Sequence, residues 1–356
     1  MRIVIVGASG NIGTALLRNL SAHPVAGEVV GVSRREPPAE PPYSSATWSS
    51  VDISTAAAAD RLTEVFAGAD AVVNLAWGFQ PTRDAARLER VGVGGTTAVA
   101  EAVTRAGVPH LLHMSSVGAY RAVGNGRRVD ESWPTDGVPT SVYSVHKAAA
   151  ERVLDAVAAG HPGLLITRFR PGLVLQRSAG SSLLRYGVPG YVPARLIQLL
   201  PVLPLDRKLV VPVVHADDVA AAISAAIEQH KGGAFNLAAE PGITRDDIAQ
   251  ALRAFPVQVP ERVLRVVVDL TWRSRLQRID AGWIDLAFAA PLMDTTRART
   301  ELGWAPATDA KSALREVISG IAAASSTNSP VLRRRTVRNQ LVDLVRSGPI
   351  TARQFS

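Results

Sequence analysis

Cysteine is absent from these 356 residues. Disulfide bonds and thiolate chemistry are therefore excluded, and a reducing, cytoplasmic setting is the expectation. No uninterrupted apolar stretch approaches the roughly 18 residues of a membrane span. The first apolar run, Ile3-Val4-Ile5-Val6, stops at Gly7 and is too short for the apolar core of a secretory signal. Aromatic residues make up 5% of the chain, and no basic stripe in its body is interleaved with them. Nucleic-acid binding is accordingly not favoured. No cluster of His, Asp and Glu has metal-ligand spacing, and no metal is expected.

The composition that remains is that of an ordinary globular protein, 47% hydrophobic and 20% charged. The length suffices for one large domain, or a large and a small one. The net charge of +8 is unevenly placed. Residues 331–356 hold Arg333, Arg334, Arg335, Arg338, Arg346 and Arg353 against the single acid Asp343, so most of the excess sits at the C-terminus. A basic tail suits an anionic surface, but its plainest reading is a solvated end, entered through a small polar linker at residues 325–330.

Short apolar runs alternate with helical patterns through the first half of the chain. Strands are expected at residues 2–6, 28–33, 69–75, 110–115 and 164–169. Helices are expected at 11–20, 57–66, 94–106 and 143–159. This alternation predicts an α/β fold, a Rossmann-like doubly wound parallel sheet with strands buried on both faces. After Arg170 the pattern changes, and Pro, Gly and long apolar residues dominate 172–212. Strands at 208–214 and 235–238 and helices at 217–229 and 244–254 follow, and 256–293 reads as helices closing over the sheet. The expected organisation is an NAD(P)-binding domain at 1–172 with contributions from about 208–240. A smaller, mostly helical substrate-binding portion at 173–324 and a basic tail at 325–356 complete it.

The turn after the first strand reads Gly7-Ala8-Ser9-Gly10-Asn11-Ile12-Gly13. Gly7 permits the turn, Gly10 lets a pyrophosphate approach the backbone, and Gly13 lets the helix pack close to the sheet. The helix start then offers free N–H groups and a positive dipole end to phosphates. The second strand ends Ser33-Arg34-Arg35, without the acid that would bind a ribose 2′-hydroxyl. A guanidinium pairs with a 2′-phosphate where a carboxylate repels it. NADP(H) is therefore the preferred cofactor, with NAD(H) as the alternative.

Tyr143 and Lys147 lie four apart at a helix start and so share one face. An ammonium near a phenol lowers its pKa and makes it a usable acid or base. Ser115 and Ser116 close the strand before that helix.

Together these motifs resemble the extended short-chain dehydrogenase/reductases, the NAD-dependent epimerase/dehydratase family. The resemblance continues through Asp52-Ile53, Asn74-Leu75-Ala76, Arg170-Pro171-Gly172, His215 to Ala220, Phe235-Asn236-Leu237 and Glu301 to Trp304, and so covers residues 1 to about 320. It implies that Tyr143 exchanges a proton with the substrate oxygen. It implies that Lys147 lowers the Tyr143 pKa and holds the nicotinamide ribose, and that Ser116, four before Tyr120, holds the substrate oxygen. Asp52, Ile53, Leu75, Ala76, Trp77, Ser115, Arg170, Pro171 and Gly172 are implied around the cofactor. Trp77, Phe79, Tyr186, Tyr191 and Arg195 are candidates for the substrate side. Pairing of two copies beside the Tyr143 helix is also implied.

Two departures narrow the resemblance. The family's NVxGT pattern is replaced by Val91-Gly92-Val93-Gly94-Gly95-Thr96, without the Asn and any water relay through it. Ser116-Val117-Gly118 lacks the two acids of sugar-nucleotide dehydratases, so dehydration is disfavoured. His113 reads as a packed histidine, His146 as a residue of the outer helix face, and Asp217 or Asp218 as a helix N-cap.

The expected function is hydride transfer at a carbonyl or alcohol of a small-molecule substrate. A nucleotide-sugar epimerase with retained cofactor is the alternative, favoured by Arg177, Arg185 and Arg195 as diphosphate partners. A non-catalytic NADP(H)-sensing or partner-binding protein is the alternative of another class.

Overall fold

The structure is a computed structural model, and it describes residues 1–23, 27–78, 84–124, 126–180, 201–277 and 279–333. Strand β1 (Arg2–Val6) shows why the first half folds as it does. Side chains alternate across a strand. Ile3 and Ile5 accordingly join one buried cluster with Leu16, Leu17, Ile223 and Phe235. Val4 and Val6 join another with Leu62, Phe66, Val99 and Val103. A continuous apolar strand is thus a strand with helices on both faces.

After β1 come α1 (Asn11–Ala22), β2 (Glu28–Ser33), β3 (Thr47–Ser50), α2 (Ala58–Phe66), β4 (Ala71–Asn74), α3 (Ala85–Glu89) and α4 (Gly95–Ala106). They are followed by β5 (His110–Met114), β6 (Arg128–Val129), α5 (Val142–Gly160), β7 (Leu165–Pro171), β8 (Leu173–Leu175), β9 (Val202–Leu205) and β10 (Val210–His215). The described chain continues with α6 (Ala216–Glu228), β11 (Gly233–Leu237), β12 (Ala239–Thr244), α7 (Arg245–Leu252), β13 (Phe255–Gln258) and α8 (Glu261–Arg273). It ends with α9 (Ala281–Ala289), β14 (Leu292–Met293), α10 (Thr296–Glu301) and α11 (Ala310–Ala322).

Seven strands form one sheet in the order β11-β7-β5-β4-β1-β2-β3. Every neighbouring pair is parallel. The order reverses between β1 and β4, where loops from the two strands part and leave a crevice at their carboxyl ends. This is the Rossmann-like sheet expected from the sequence.

The later portion is less purely helical than expected. It contributes to three small sheets, β12-β10-β8, β13-β9 and β14-β6. Strands of two to six residues at sheet edges carry too little periodicity to be read. The same reason hides β3, an edge strand with no fully buried residue.

Two further readings are corrected. The N-cap of α6 is His215, whose Nδ1 accepts the Asp217 N–H at 3.2 Å. Asp218 instead accepts the N–H groups of Ala307 (2.8 Å) and Thr308 (3.2 Å), while its carbonyl takes the Trp304 indole N–H at 2.7 Å. The residues after α11 are not a solvated linker throughout, because Ser329 and Leu332 are buried.

Candidate active site

Gly7 leaves β1 with φ +87°, and a Cβ on it would lie 2.8 Å from the Ala76 nitrogen. A side chain at Gly13 would meet the Ala8 carbonyl oxygen at 2.5 Å, so α1 can start this close to the loop only with glycine there. The loop closes through a Gly10 N–H bond to Gly7 O at 3.0 Å. Ser9 is buried, and Ile12 packs against the core. The first turn of α1 carries no acid, which leaves its positive end available to an anion. Asn11 is held from β8: its amide donates to Val174 O at 3.2 Å, and Gln176 donates to its carbonyl and side-chain oxygens at 2.7 and 2.6 Å. Leu75 N–H donates to Val6 O at 2.8 Å, and Ala76 N–H donates to Asn74 Oδ1 at 3.2 Å, so the β4 end lies beside the glycine loop.

On the far side of β2, Ser33 Oγ donates to Arg35 O at 2.7 Å. The half-buried Arg34 guanidinium has its pKa lowered by burial, with Arg87 and Arg35 adding to the shift and Asp52 opposing it. Burial pushes the Asp52 carboxyl up, but hydrogen bonds from Ser54 and the charges of Arg34 and Arg87 outweigh it and hold the pKa below its usual value. Asp52 is therefore one acid between two guanidinium groups, Arg34 and Arg87. Arg87, on α3, was not anticipated; it lies far from Arg34 in sequence, and no local motif marks it. Ile53 faces Gly95 of α4, where a Cβ would meet its Cδ1 at 2.5 Å.

The third part of the site lies at the end of β5. Ser116 starts a short turn and accepts the Gly118 N–H at 3.0 Å. Its hydroxyl is hydrogen-bonded to Tyr143. Ser141, two residues before Tyr143, caps α5 by accepting from Ser144 N–H. Gly118 lets the two elements meet, since a Cβ there would lie 2.9 Å from the Tyr143 ring. Trp77 approaches the Tyr143 ring edge-on at 6.2 Å, and Trp283 of α9 packs on it at 5.2 Å. Val117, Val138 and Leu286 complete an apolar wall.

Lys147 is buried, donates to Met114 O at 2.8 Å, and places its ammonium 3.5 Å from the centre of the Trp77 ring. Burial lowers its pKa to about 7, against the opposing charge of Glu151. The expected lowering of Tyr143 is reversed here. Burial pushes its pKa up to about 12, and the Ser116 hydrogen bond offsets only part of that. Trp77 also explains the altered helix before β5. Counting back from Gly95-Thr96, Gly92 stands at the Asn position of NVxGT, and a Cβ there would already meet the Trp77 ring at 2.9 Å.

Behind the site, Ser115 Oγ donates to Glu151 at 2.6 Å. Arg170 grips the same carboxylate through Nε (2.9 Å) and a second nitrogen (3.2 Å), and also reaches Tyr120 Oη at 3.1 Å. Tyr120 passes the chain of bonds to Asn236 at 2.7 Å. Burial raises the Glu151 pKa, but Arg170, Ser115 and Arg168 together hold it down at about 2. Arg170 is thus engaged in a buried network. Gly172 likewise packs on β10, where a Cβ would meet Pro212 O at 2.4 Å, and Pro171 ends β7 in register with Leu237. His113 is packed, as read, and burial drives its pKa down to about 3. Burial also lowers His146, which lies half-buried on α5. Arg177 is committed to Ser319 of α11 at 2.9 Å. Phe79, Arg185, Tyr186, Tyr191 and Arg195 lie outside the described residues.

Comparison with known proteins agrees with this fold. A family model described as the NAD dependent epimerase/dehydratase family matches residues 3–238. An uncharacterized protein of Mycobacterium tuberculosis is 29% identical over 324 residues, which are 89% of this chain and 29% of that protein. The chain thus spans under a third of the curated relatives' length. A solved UDP-glucose 4-epimerase of Thermus thermophilus, in complex with NAD, superposes with a TM-score of 0.67 at 21% identity, covering 91% of this chain and 100% of its own. The UDP-glucose 4-epimerase of Thermotoga maritima, solved with UDP-glucose, gives 0.66 at 19% identity, with 90% and 98% covered. Among the described residues no helix is long and apolar enough to cross a membrane.

Proposed function

The chain belongs to the NAD dependent epimerase/dehydratase family, and from that premise we propose that it transfers hydride at a carbonyl or alcohol carbon of a small molecule, with NADP(H) preferred. The observation that carries this reading is the hydrogen-bonded pair Ser116 and Tyr143, with Lys147 one turn along the same helix. The glycine loop supports a dinucleotide here: Gly7 packs on Ala76 and Gly13 on Ala8 so closely that only glycine is accommodated, which sets the start of α1 beside the end of β4. Gly7, Gly10 and Gly13 would hold the pyrophosphate, Arg34, Arg35 and Arg87 the 2′-phosphate, and Lys147 the nicotinamide ribose. The dinucleotide, when bound, supplies or accepts the hydride.

Tyr143 and Ser116 handle the oxygen. With its pKa near 12, Tyr143 keeps its proton at neutral pH and is set to give it to a carbonyl oxygen that Ser116 holds. The wall of Trp77, Trp283 and Val117 excludes water around that oxygen and suits an apolar or ring-shaped substrate. Glu151, the buried acid behind the site, is already bound to Arg170, so it is not free to support dehydration.

A second reading is redox-neutral epimerisation of a nucleotide sugar. It is supported by the likeness over nearly the whole chain to solved UDP-glucose 4-epimerases. Incubation with NADPH and a panel of ketones, alongside UDP-glucose with NAD, separates the two. Net loss of NADPH absorbance supports the first; a new sugar epimer without net redox supports the second. Tyr143→Phe should lower whichever turnover is found by about 100-fold or more. Unchanged turnover in that variant would overturn the assignment of Tyr143.

A further inference from the structure

The residues after α11 return to the glycine loop. Ser329 is fully buried and its hydroxyl donates to the carbonyl of Ser9 at 2.5 Å, across 320 positions of sequence. Thr327 Oγ shares a hydrogen bond with the Tyr43 hydroxyl at 2.7 Å, and Tyr43 shares one with Thr14 Oγ at 3.1 Å. Thr14 Oγ in turn donates to the Gly10 carbonyl at 2.7 Å. Asn328 donates to Glu40. The segment is folded on itself as well: Thr327 N–H reaches Leu332 O at 3.3 Å, and Ser329 Oγ accepts from Val331 N–H at 3.1 Å. Leu332 is buried.

These bonds act on the loop's carbonyl side. A trans peptide is planar, with its N–H opposed to its C=O. Holding the Gly10 carbonyl from the Thr14 side therefore aims the Asn11 N–H the other way. Holding the Ser9 carbonyl likewise fixes the plane of the Gly10 N–H, which closes the turn on Gly7 O at 3.0 Å. The Asn11 N–H at the start of α1 is thus aimed, and the turn before it held closed, by bonds on the carbonyl side of the loop.

We propose that residues 327–332 are a strap that positions the phosphate-binding loop, with Ser329 and Tyr43 as positioning residues for the pyrophosphate of the bound dinucleotide. The inference rests on the dinucleotide reading of the crevice. Linkage is reciprocal, so a strap that favours the dinucleotide is itself held by the dinucleotide.

The full chain is titrated with NADPH by nicotinamide fluorescence, in the wild type and in Ser329→Ala and Tyr43→Phe. Thermal melts without ligand run alongside, and hydrogen exchange across residues 327–332 is followed with and without NADPH. Each variant should raise the Kd about fivefold, the worth of one neutral hydrogen bond. NADPH should slow exchange in the wild-type strap, a readout that needs no variant to fold. An unchanged Kd with a lowered melting temperature would reduce the strap to packing and overturn its role at the loop. Exchange indifferent to NADPH would do the same. Absence of both NADPH and NADH binding in the wild type would remove the dinucleotide reading and with it the strap's role, whereas NADH binding alone moves the same titration to NADH.

Discussion

The ammonium of Lys147 lies 3.5 Å from the centre of the Trp77 ring, and Gly92 is the residue that makes room for that ring. An indole thus occupies the neighbourhood where the NVxGT pattern would bring an Asn side chain. Gly92→Asn should cost about 1–3 kcal/mol through overpacking against the indole. Combined with Trp77→Ala it should cost less than the two single changes added together. A double-mutant cycle in urea measures the coupling, expected at about 1 kcal/mol. Strict additivity would show that the two positions do not contend for the same space.

Lys147 titrates near 7 because it is buried. Its ordinary value is 10.5, so between about 7 and 10.5 the unfolded chain binds a proton that the folded chain does not. Stability from this group therefore rises with pH through that window. NADPH affinity should move the opposite way and weaken as pH passes above about 7, because the ammonium is lost. Kd measured from pH 6 to 9 tests this, and Lys147→Arg should flatten the dependence.

Glu151 is held at about 2 against an ordinary 4.5. A depressed carboxylate stabilises the fold above its unfolded pKa and ceases to do so as pH falls through its folded one. Acid unfolding should therefore be sensitive between 4.5 and 2. Glu151→Gln leaves the buried Arg170 without its charge partner and should cost about 3 kcal/mol at neutral pH. Urea denaturation at pH 7 and pH 3 gives both quantities, with a smaller difference between variant and wild type at the lower pH.

Arg34 and Arg87 meet around Asp52. If they hold a 2′-phosphate, Arg34→Glu should weaken NADPH binding by about tenfold or more while leaving NADH binding within about threefold. Arg87→Ala should act in the same direction with a smaller effect. Equal losses for both dinucleotides would count against 2′-phosphate recognition.

The sequence by itself determined the long strands and helices of the main sheet and the glycine turn after its first strand. It could do so because a doubly buried strand must be apolar throughout. A close helix start must carry glycine at Gly7 and Gly13, and two residues on one helix face must lie four apart. Only the tertiary structure decided how those residues stand toward one another. Tyr143 keeps its proton through burial that its neighbours in sequence do not reveal. Arg170 belongs to Glu151 because β7 lies against α5. Arg87 joins Arg34, and Ser329 joins Ser9 across 320 positions. Periodicity reports which face a residue is on; it carries no information about which distant residue will occupy the space opposite.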